Sequence, residues 1–517
     1  MASLAAVTLL GLFSAVWRYS ISGTQPPAAG GGKAAAALAT KQLHAIAAQL
    51  DPDLMSQLPE SFLPNYRTPC WHRPTQQQQH ASPASHLNLP PGSAADRTPQ
   101  AAAAAAAVAL EGSAELLQAV KQLQQQQQQQ EQELQCLPYF HILGSFQSGA
   151  FSLYSMLEQH PDVAKGHNPR PHFWAEHDKN LSSYMAELQG ALPYMQQRPG
   201  SALLVDASES SFALYMAAGL RGHRVWLRTL QPCQERCAGR LQEPQLGHCK
   251  EACWQNATHA DRTVAAKLRL PRWQLDTPLL MKAAYSGRNP VGAAAVYGSA
   301  TTGLSMSRYR QAAAAAAAAA VPKLVVLLRD PAQRLLSSFL EYGHYTSKYG
   351  DGPEGFLAFV KEQLAAFEGC VARHGSLEEC VLLFESLDTA NEKVFFHCDQ
   401  VLRGMYWVFL QGWQRHFGPD QLLVLLSEDL FKSPKAVLRR VVRFLGLAGN
   451  VPDDRWAAME AAGAASHRQS LTTQHKYYEA VPEARRLVDA FYAPHNIQLG
   501  QLLMGRAVSP WEDHGNP

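Results

Sequence analysis

Four short, uninterrupted apolar runs set the strongest limit on what this chain can fold into. Tyr139–Leu143, Ala202–Val205, Leu324–Leu328 and Leu422–Leu426 have strand length and lack the polar alternation of a half-exposed strand. Runs this continuous suit strands buried on both faces, as in a parallel sheet covered by helices. Longer amphipathic stretches separate them, including Leu153–Gln159, Ala332–Tyr342, Met405–Phe417 and Pro434–Leu445. Strand alternating with helix predicts an α/β layered fold. The alternation occupies residues 138–512. That is long for one domain, so insertions are expected. Ala312–Ala320, just before a predicted strand, reads as an insertion or a helical extension.

Upstream the chain is a different material. Residues 23–137 hold Gln25-Pro26-Pro27, Gly30-Gly31-Gly32, Gln76–Gln79, Pro90-Pro91-Gly92, Ala101–Ala107 and Gln124–Gln130. Such segments lack the apolar density to offset backbone ordering, and a stem is expected. Leu110, Leu117 and Val120 share one helical face, so part of the stem is predicted helical, as a solvated spacer or a short dimerising coiled coil. Ala2–Trp17 are almost wholly apolar and uncharged. Residues 1–22 therefore read as a secretory targeting segment. It is either a cleaved signal peptide, with Ser20 and Ser22 as a small-x-small site, or a short signal-anchor. Of the 517 residues, 45 are Lys or Arg and 43 Asp or Glu, a formal net charge of +2. That balance argues against a dedicated nucleic-acid binder.

The first predicted strand leads into Gly144-Ser145-Phe146-Gln147-Ser148-Gly149-Ala150-Phe151-Ser152, followed by helix. A strand–glycine loop–helix unit can cradle an anion, because the backbone N–H groups and the helix N-terminus face the ligand. A tight structural turn is the plain alternative. Ala150-Phe151 stand where a nucleoside triphosphatase needs Lys and Ser/Thr, so triphosphate hydrolysis is disfavoured. A second candidate follows Leu324–Leu328, which runs into Arg329-Asp330-Pro331 and a helix carrying Arg334, Ser337 and Ser338. Arg329 at a strand end can grip a phosphate through two N–H groups. Together the two loops predict a ligand with two separated phosphates, bound at the carboxyl ends of the strands.

These residues resemble those of the carbohydrate sulfotransferases that use 3′-phosphoadenosine 5′-phosphosulfate (PAPS). The likeness is greatest to the N-acetylgalactosamine 4-sulfate 6-O-sulfotransferase group and its heparan sulfate relatives. The matching stretches are Ile142–Leu157 with His160-Pro161, Arg170-Pro171-His172-Phe173-Trp174, and Val205-Asp206-Ala207-Ser208. They continue through Lys323–Leu340, Met405–Pro434 and Pro482–Leu503. The resemblance implies a P-loop-like parallel sheet flanked by helices, in a type II Golgi membrane enzyme with a lumenal catalytic domain. Secretion is the alternative location. It implies a glycan or proteoglycan acceptor, PAPS as sulfate donor, and no metal or nucleic acid. Gly144, Gln147, Ser148, Gly149 and Ser152 would line the 5′-phosphosulfate site. Arg329 and Ser337 would hold the 3′-phosphate. Lys476 is a further phosphate candidate, with a solvated surface lysine as the alternative.

The departures from the family bear on chemistry. Gln147 stands where the family has a lysine that neutralises charge on the leaving phosphate. Glutamine can donate a hydrogen bond but carries no charge. Arg170 stands where the family has a glutamate base, and arginine takes no proton at neutral pH. His172 is retained, and it is a substitute base or a packing histidine. The alternative to an enzyme is therefore a catalytically impaired glycan- or nucleotide-binding protein of the same fold.

Nine cysteines are present. Cys233, Cys237, Cys249 and Cys253 put pairs on two helix faces, so that Cys233–Cys253 and Cys237–Cys249 disulfides could staple two antiparallel helices. A four-thiolate zinc site is the rival. Cys370 and Cys380 resemble a disulfide-closed loop of the heparan sulfate relatives. The odd count leaves one cysteine over, and Cys136, at the end of the stem, would be placed to link two chains. Asn180-Leu181-Ser182 and Asn256-Ala257-Thr258 are glycosylation sequons. Lys435, Arg439, Arg440 and Arg443 form a solvated helix face or a basic rim for a polyanion. Glu428-Asp429, between strand and helix, suit a capping role.

Overall fold

The structure is a computed structural model and describes residues 33–74, 132–176, 178–213, 221–242, 244–286, 322–467 and 477–512. The chain divides into residues 1–42 and 43–517. The described part of the first unit is the opening of helix Lys33–Leu50. The elements that follow belong to the second.

Among the described residues, six strands make two sheets. Cys70–Pro74 (β1) and Gln132–Cys136 (β2) pair antiparallel. Phe140–Gly144 (β3), Val205–Asp206 (β4), Lys323–Leu328 (β5) and Leu422–Leu426 (β6) form a parallel sheet in the order β4-β3-β5-β6. The α/β expectation is met, and its physical cause is visible in β5. Leu324, Val326 and Leu328 face one apolar core, while Val325 and Leu327 face another. A strand with no polar face can sit only between two covered layers. Phe140 and Ile142 of β3 enter the second core and Leu143 the first.

Two details differ from the sequence expectation. The run Ala202–Val205 pairs with β3 only from Val205 onward. Most of its earlier backbone groups are taken elsewhere: Thr68 Oγ1 donates to Ala202 O and Leu203 bridges Val163, while Leu204 O accepts from Tyr139 N and Phe140 N at the start of β3. The stem is also not wholly a spacer. Ala47, Leu50, Leu54, Met55, Leu58, Cys70, Trp71, Leu134 and Cys136 are buried in the first core. Cys136, expected to be available to a second chain, is joined to Cys70. Polar runs mask these few anchor residues in the sequence. The stripe from Leu110 to Val120, the targeting segment and the alanine run 312–320 lie outside the described residues. No helix of the described residues is long and apolar enough to cross a membrane.

Helices Arg224–Ala238 and Gln245–Leu268 pack around Trp226, Leu230, Trp254 and Ala257. They are stapled by Cys233–Cys253 and Cys237–Cys249. The four sulfurs proposed as rival zinc ligands are thus spent in disulfides. Cys370 pairs with Cys380, and the remaining free cysteine is buried Cys398. Arg439, Arg440 and Arg443 are solvent-exposed on helix Pro434–Leu445.

Candidate active site

The site is built where β3 and β5, neighbours in the sheet, end. β3 turns into residues Gly144–Gly149, and helix Ala150–Leu157 follows. Both glycines are required by geometry. Gly144 has φ +129°, and a Cβ there would lie 2.4 Å from the Glu209 carbonyl oxygen. Gly149 has φ +83°, and its Cβ would lie 2.9 Å from the Phe431 ring. A side chain at either would open the loop. Gln147 is itself left-handed at φ 58°, an uncommon state for a non-glycine residue.

The loop is held from neighbouring elements. The Ser145 N–H donates to Leu327 O at 2.7 Å, and Arg329 Nη1 donates to Gln147 O at 3.1 Å. The Ser427 hydroxyl, at the end of β6, donates to Ser148 O at 2.5 Å. Ser148 Oγ lies 2.6 Å from Ser145 Oγ, so this hydroxyl is already partnered within the loop. Ser152 is buried in the helix, and Phe151 beside it is exposed. Burial raises the Tyr342 phenol, while Arg403 and a hydrogen bond from the Gln147 amide oppose that rise. Arg403 also lies 4.2 Å from the Phe146 ring centroid and pairs with Asp399 at 3.1 Å. A cation therefore stands beside the loop that lacks one of its own.

The second loop closes the spacing of eight between Arg329 and Ser337. Asp330 caps helix Pro331–Glu341 by accepting from the Gln333 N–H at 2.8 Å, and Pro331 sets its first turn. This fold-back brings Arg329 Nη1 to Ser337 Oγ at 2.9 Å. Tyr406 donates to Arg329 O at 2.9 Å. Glu428 lies in the first turn of helix Ser427–Lys432, and its carboxylate accepts a backbone N–H there. It also accepts from Asp330 N at 3.0 Å and from Trp511 Nε1 at 3.1 Å, tying the Arg329 loop to β6 and to the C-terminal segment. Burial pulls the Arg329 guanidinium pKa below its usual value, and Glu428 and Tyr406 oppose that. Arg334 is turned away into the core, where it donates to Gln400 Oε1 at 3.1 Å.

A third corner closes the site. His172 has φ 54°. Its N–H donates to Ser208 Oγ at 2.8 Å, and its Nδ1 lies 2.8 Å from Ser210 Oγ. When Nδ1 carries the proton, Nε2 carries the lone pair. Arg170 Nη1 pairs with Glu209 Oε1 at 3.1 Å, and the guanidinium stacks 4.7 Å from the Phe151 ring centroid. Thus Gly144, Gln147, Ser148, Gly149, Arg329, Ser337 and His172 belong to connected elements around the strand ends. Lys476 lies outside the described residues. Arg403 and Glu209 were not marked by the sequence. Neither has a fixed spacing to the loops, and the resemblance after β4 stops at Ser208, one residue short of Glu209.

Residues 314–464 match the family model described as a sulfotransferase domain. Carbohydrate sulfotransferase 15 of Homo sapiens is 23% identical over 456 residues, covering 88% of this chain and 67% of that protein. The Mus musculus protein of that name is 24% identical over 377 residues, covering 73% of this chain and 55% of that protein. Its Nototodarus sloanii namesake is 33% identical over 147 residues, covering 28% of this chain and 85% of that protein. The chain spans about half to two thirds of the length of these mammalian relatives. With a parallel sheet carrying two loops at its strand ends, and these sequence matches, the chain belongs to the carbohydrate sulfotransferase family.

Proposed function

We propose that residues 138–512 transfer a sulfo group from PAPS to a glycan hydroxyl, with N-acetylgalactosamine 4-sulfate units of a chondroitin-type chain as the acceptor class. One observation carries this reading. Arg329 touches both the Ser337 hydroxyl and the Gln147 carbonyl, so the two loops form one cradle for a donor with two separated phosphates. The residues fit the donor's 3′-phosphate through a guanidinium and a hydroxyl. They fit its 5′ end through the glycine-loop backbone, the following helix N-terminus and the Gln147 amide. The donor supplies an activated sulfur. The protein's part is to hold both ends, to bring an acceptor hydroxyl in line, and to take that hydroxyl's proton in the corner that holds His172.

The four disulfides suit an oxidising, lumenal compartment. Asn180 and Asn256 of the two sequons are exposed. We place the domain in the Golgi lumen as a type II protein held by the apolar N-terminal segment, with a secreted form as the alternative. Dimerisation would fall to the stem stripe around Leu117.

A second reading, a donor-binding protein with little transferase activity, is favoured by Gln147 and Arg170 standing where the family has a lysine and a glutamate. Purified protein incubated with sulfur-labelled PAPS and chondroitin, dermatan and heparan acceptors separates the two. Label on a chondroitin-type chain supports the transferase. No label on any acceptor, with retained binding of the desulfonated donor, supports the second reading.

A further inference from the structure

The family's carboxylate position is Arg170 in this chain, and that arginine is not alone. Its Nη1 lies 3.1 Å from Oε1 of Glu209, a residue that follows β4. Arg170 is 43% exposed at its side chain, whereas Glu209 is only 15% exposed. Glu209 Oε2 is buried and has no hydrogen-bond partner among the described residues. Leaving a carboxylate oxygen desolvated and unpaired is costly, and such groups persist where a ligand or a reaction uses them. The position is equally specific. The Glu209 carbonyl oxygen packs against Gly144, where even a Cβ would lie 2.4 Å away, so the residue is seated on the first glycine of the donor loop. Its neighbours Ser208 and Ser210 are the two residues that hold His172.

We propose that Glu209 is the catalytic carboxylate of this chain, relocated from position 170 to the adjoining segment. This rests on the transferase reading above. The acceptor hydroxyl gives its proton to the Glu209 carboxylate as its oxygen forms the new S–O bond. The S–O bond to the 5′-phosphate breaks, and the bridging oxygen leaves with the electron pair on the desulfonated donor. The proton on Glu209 then passes to solvent. Arg170 holds the Glu209 carboxylate in place before the acceptor arrives. His172, fixed by two serines, is a positioning residue that orients the hydroxyl.

The ion pair itself provides the test, because Glu209→Gln and Arg170→Ala both break it. Full-length protein is assayed for transfer from labelled PAPS to chondroitin, with melting temperature and binding of the desulfonated donor measured beside it. Glu209→Gln is expected to lower kcat by about 10²-fold or more while leaving donor affinity unchanged. Arg170→Ala removes the partner but keeps the carboxylate, and is expected to lower kcat by about tenfold, less than Glu209→Gln does. The double variant Arg170→Glu/Glu209→Gln, which returns the carboxylate to position 170, recovers at least about tenfold over Glu209→Gln. Equal losses in both single variants, or a Glu209→Gln enzyme within threefold of wild type, would overturn the assignment while leaving the transferase standing. A wild-type protein that transfers no label overturns both.

Discussion

The loops at the ends of β3 and β5 are held with equal care and differ in charge. Residues Gly144–Gly149 are fastened by Leu327, Arg329 and Ser427, yet contain no cation. The Arg329 loop is fastened by Tyr406 and Glu428 and carries a buried guanidinium with its serine in place. Under the proposed function the contrast would separate two tasks. Holding the donor would fall to the second loop, and stabilising the charge that develops on the leaving phosphate to the first, where the Gln147 amide and the neighbouring Arg403 would act. Donor binding would then survive while rate declines.

The sharpest way to break this contrast is to remove Arg329. Arg329→Ala loses the contacts to Ser337 and Gln147 together. It is expected to weaken binding of the desulfonated donor by about 10²-fold, measured by calorimetry. A change under fivefold would show that the second loop is not the anchor. Returning the charge to the first loop tests the other side. Gln147→Lys is expected to raise kcat by roughly tenfold to a hundredfold, with a smaller change in donor affinity, since a preorganised charge acts mainly in the transition state. An unchanged kcat would mean that Arg403 already supplies the charge.

The smallest effect concerns the strands beneath the loops. β5 has an aliphatic interior, whereas β3 contains His141, buried against Tyr285 at 2.8 Å and near Asp206. Burial drives the His141 pKa down to about 4, with Asp206 opposing. Burial likewise lowers His416 and His495 to about 4. Each folded pKa lies below the unfolded value, so the unfolded chain binds more protons in acid. Stability should be flat above pH 6.5 and fall as pH drops from about 6.5 toward 4, which melting curves across that range would register. A melting temperature that rises on acidification would contradict the burial of these histidines.

Much of this was legible in the sequence, and the gaps have physical causes. β5 and β6 were visible because a strand without polar residues has few other places to go. The Arg329–Ser337 pair was visible because a capped turn, Asp330-Pro331, fixes its spacing. The helical hairpin was legible because its cysteines repeat at one turn of helix. The stem anchors were not. Leu50, Leu54 and Trp71 lie among alanines, prolines and glutamines, and Cys70 reaches Cys136 across a sequence separation of 66. Glu209 was invisible for a different reason: it sits on an irregular segment, and only the fold sets it against Gly144 and Arg170.

Under the proposed function the two loops form one cradle whose hold comes from the Arg329 side. Titrating the protein with desulfonated donor and with the same nucleotide lacking its 3′-phosphate tests this most directly. The account predicts that removing the 3′-phosphate weakens binding by about 10²-fold, and that Arg329→Ala abolishes the difference. Equal affinity for the two nucleotides, or a difference that survives in Arg329→Ala, would contradict it.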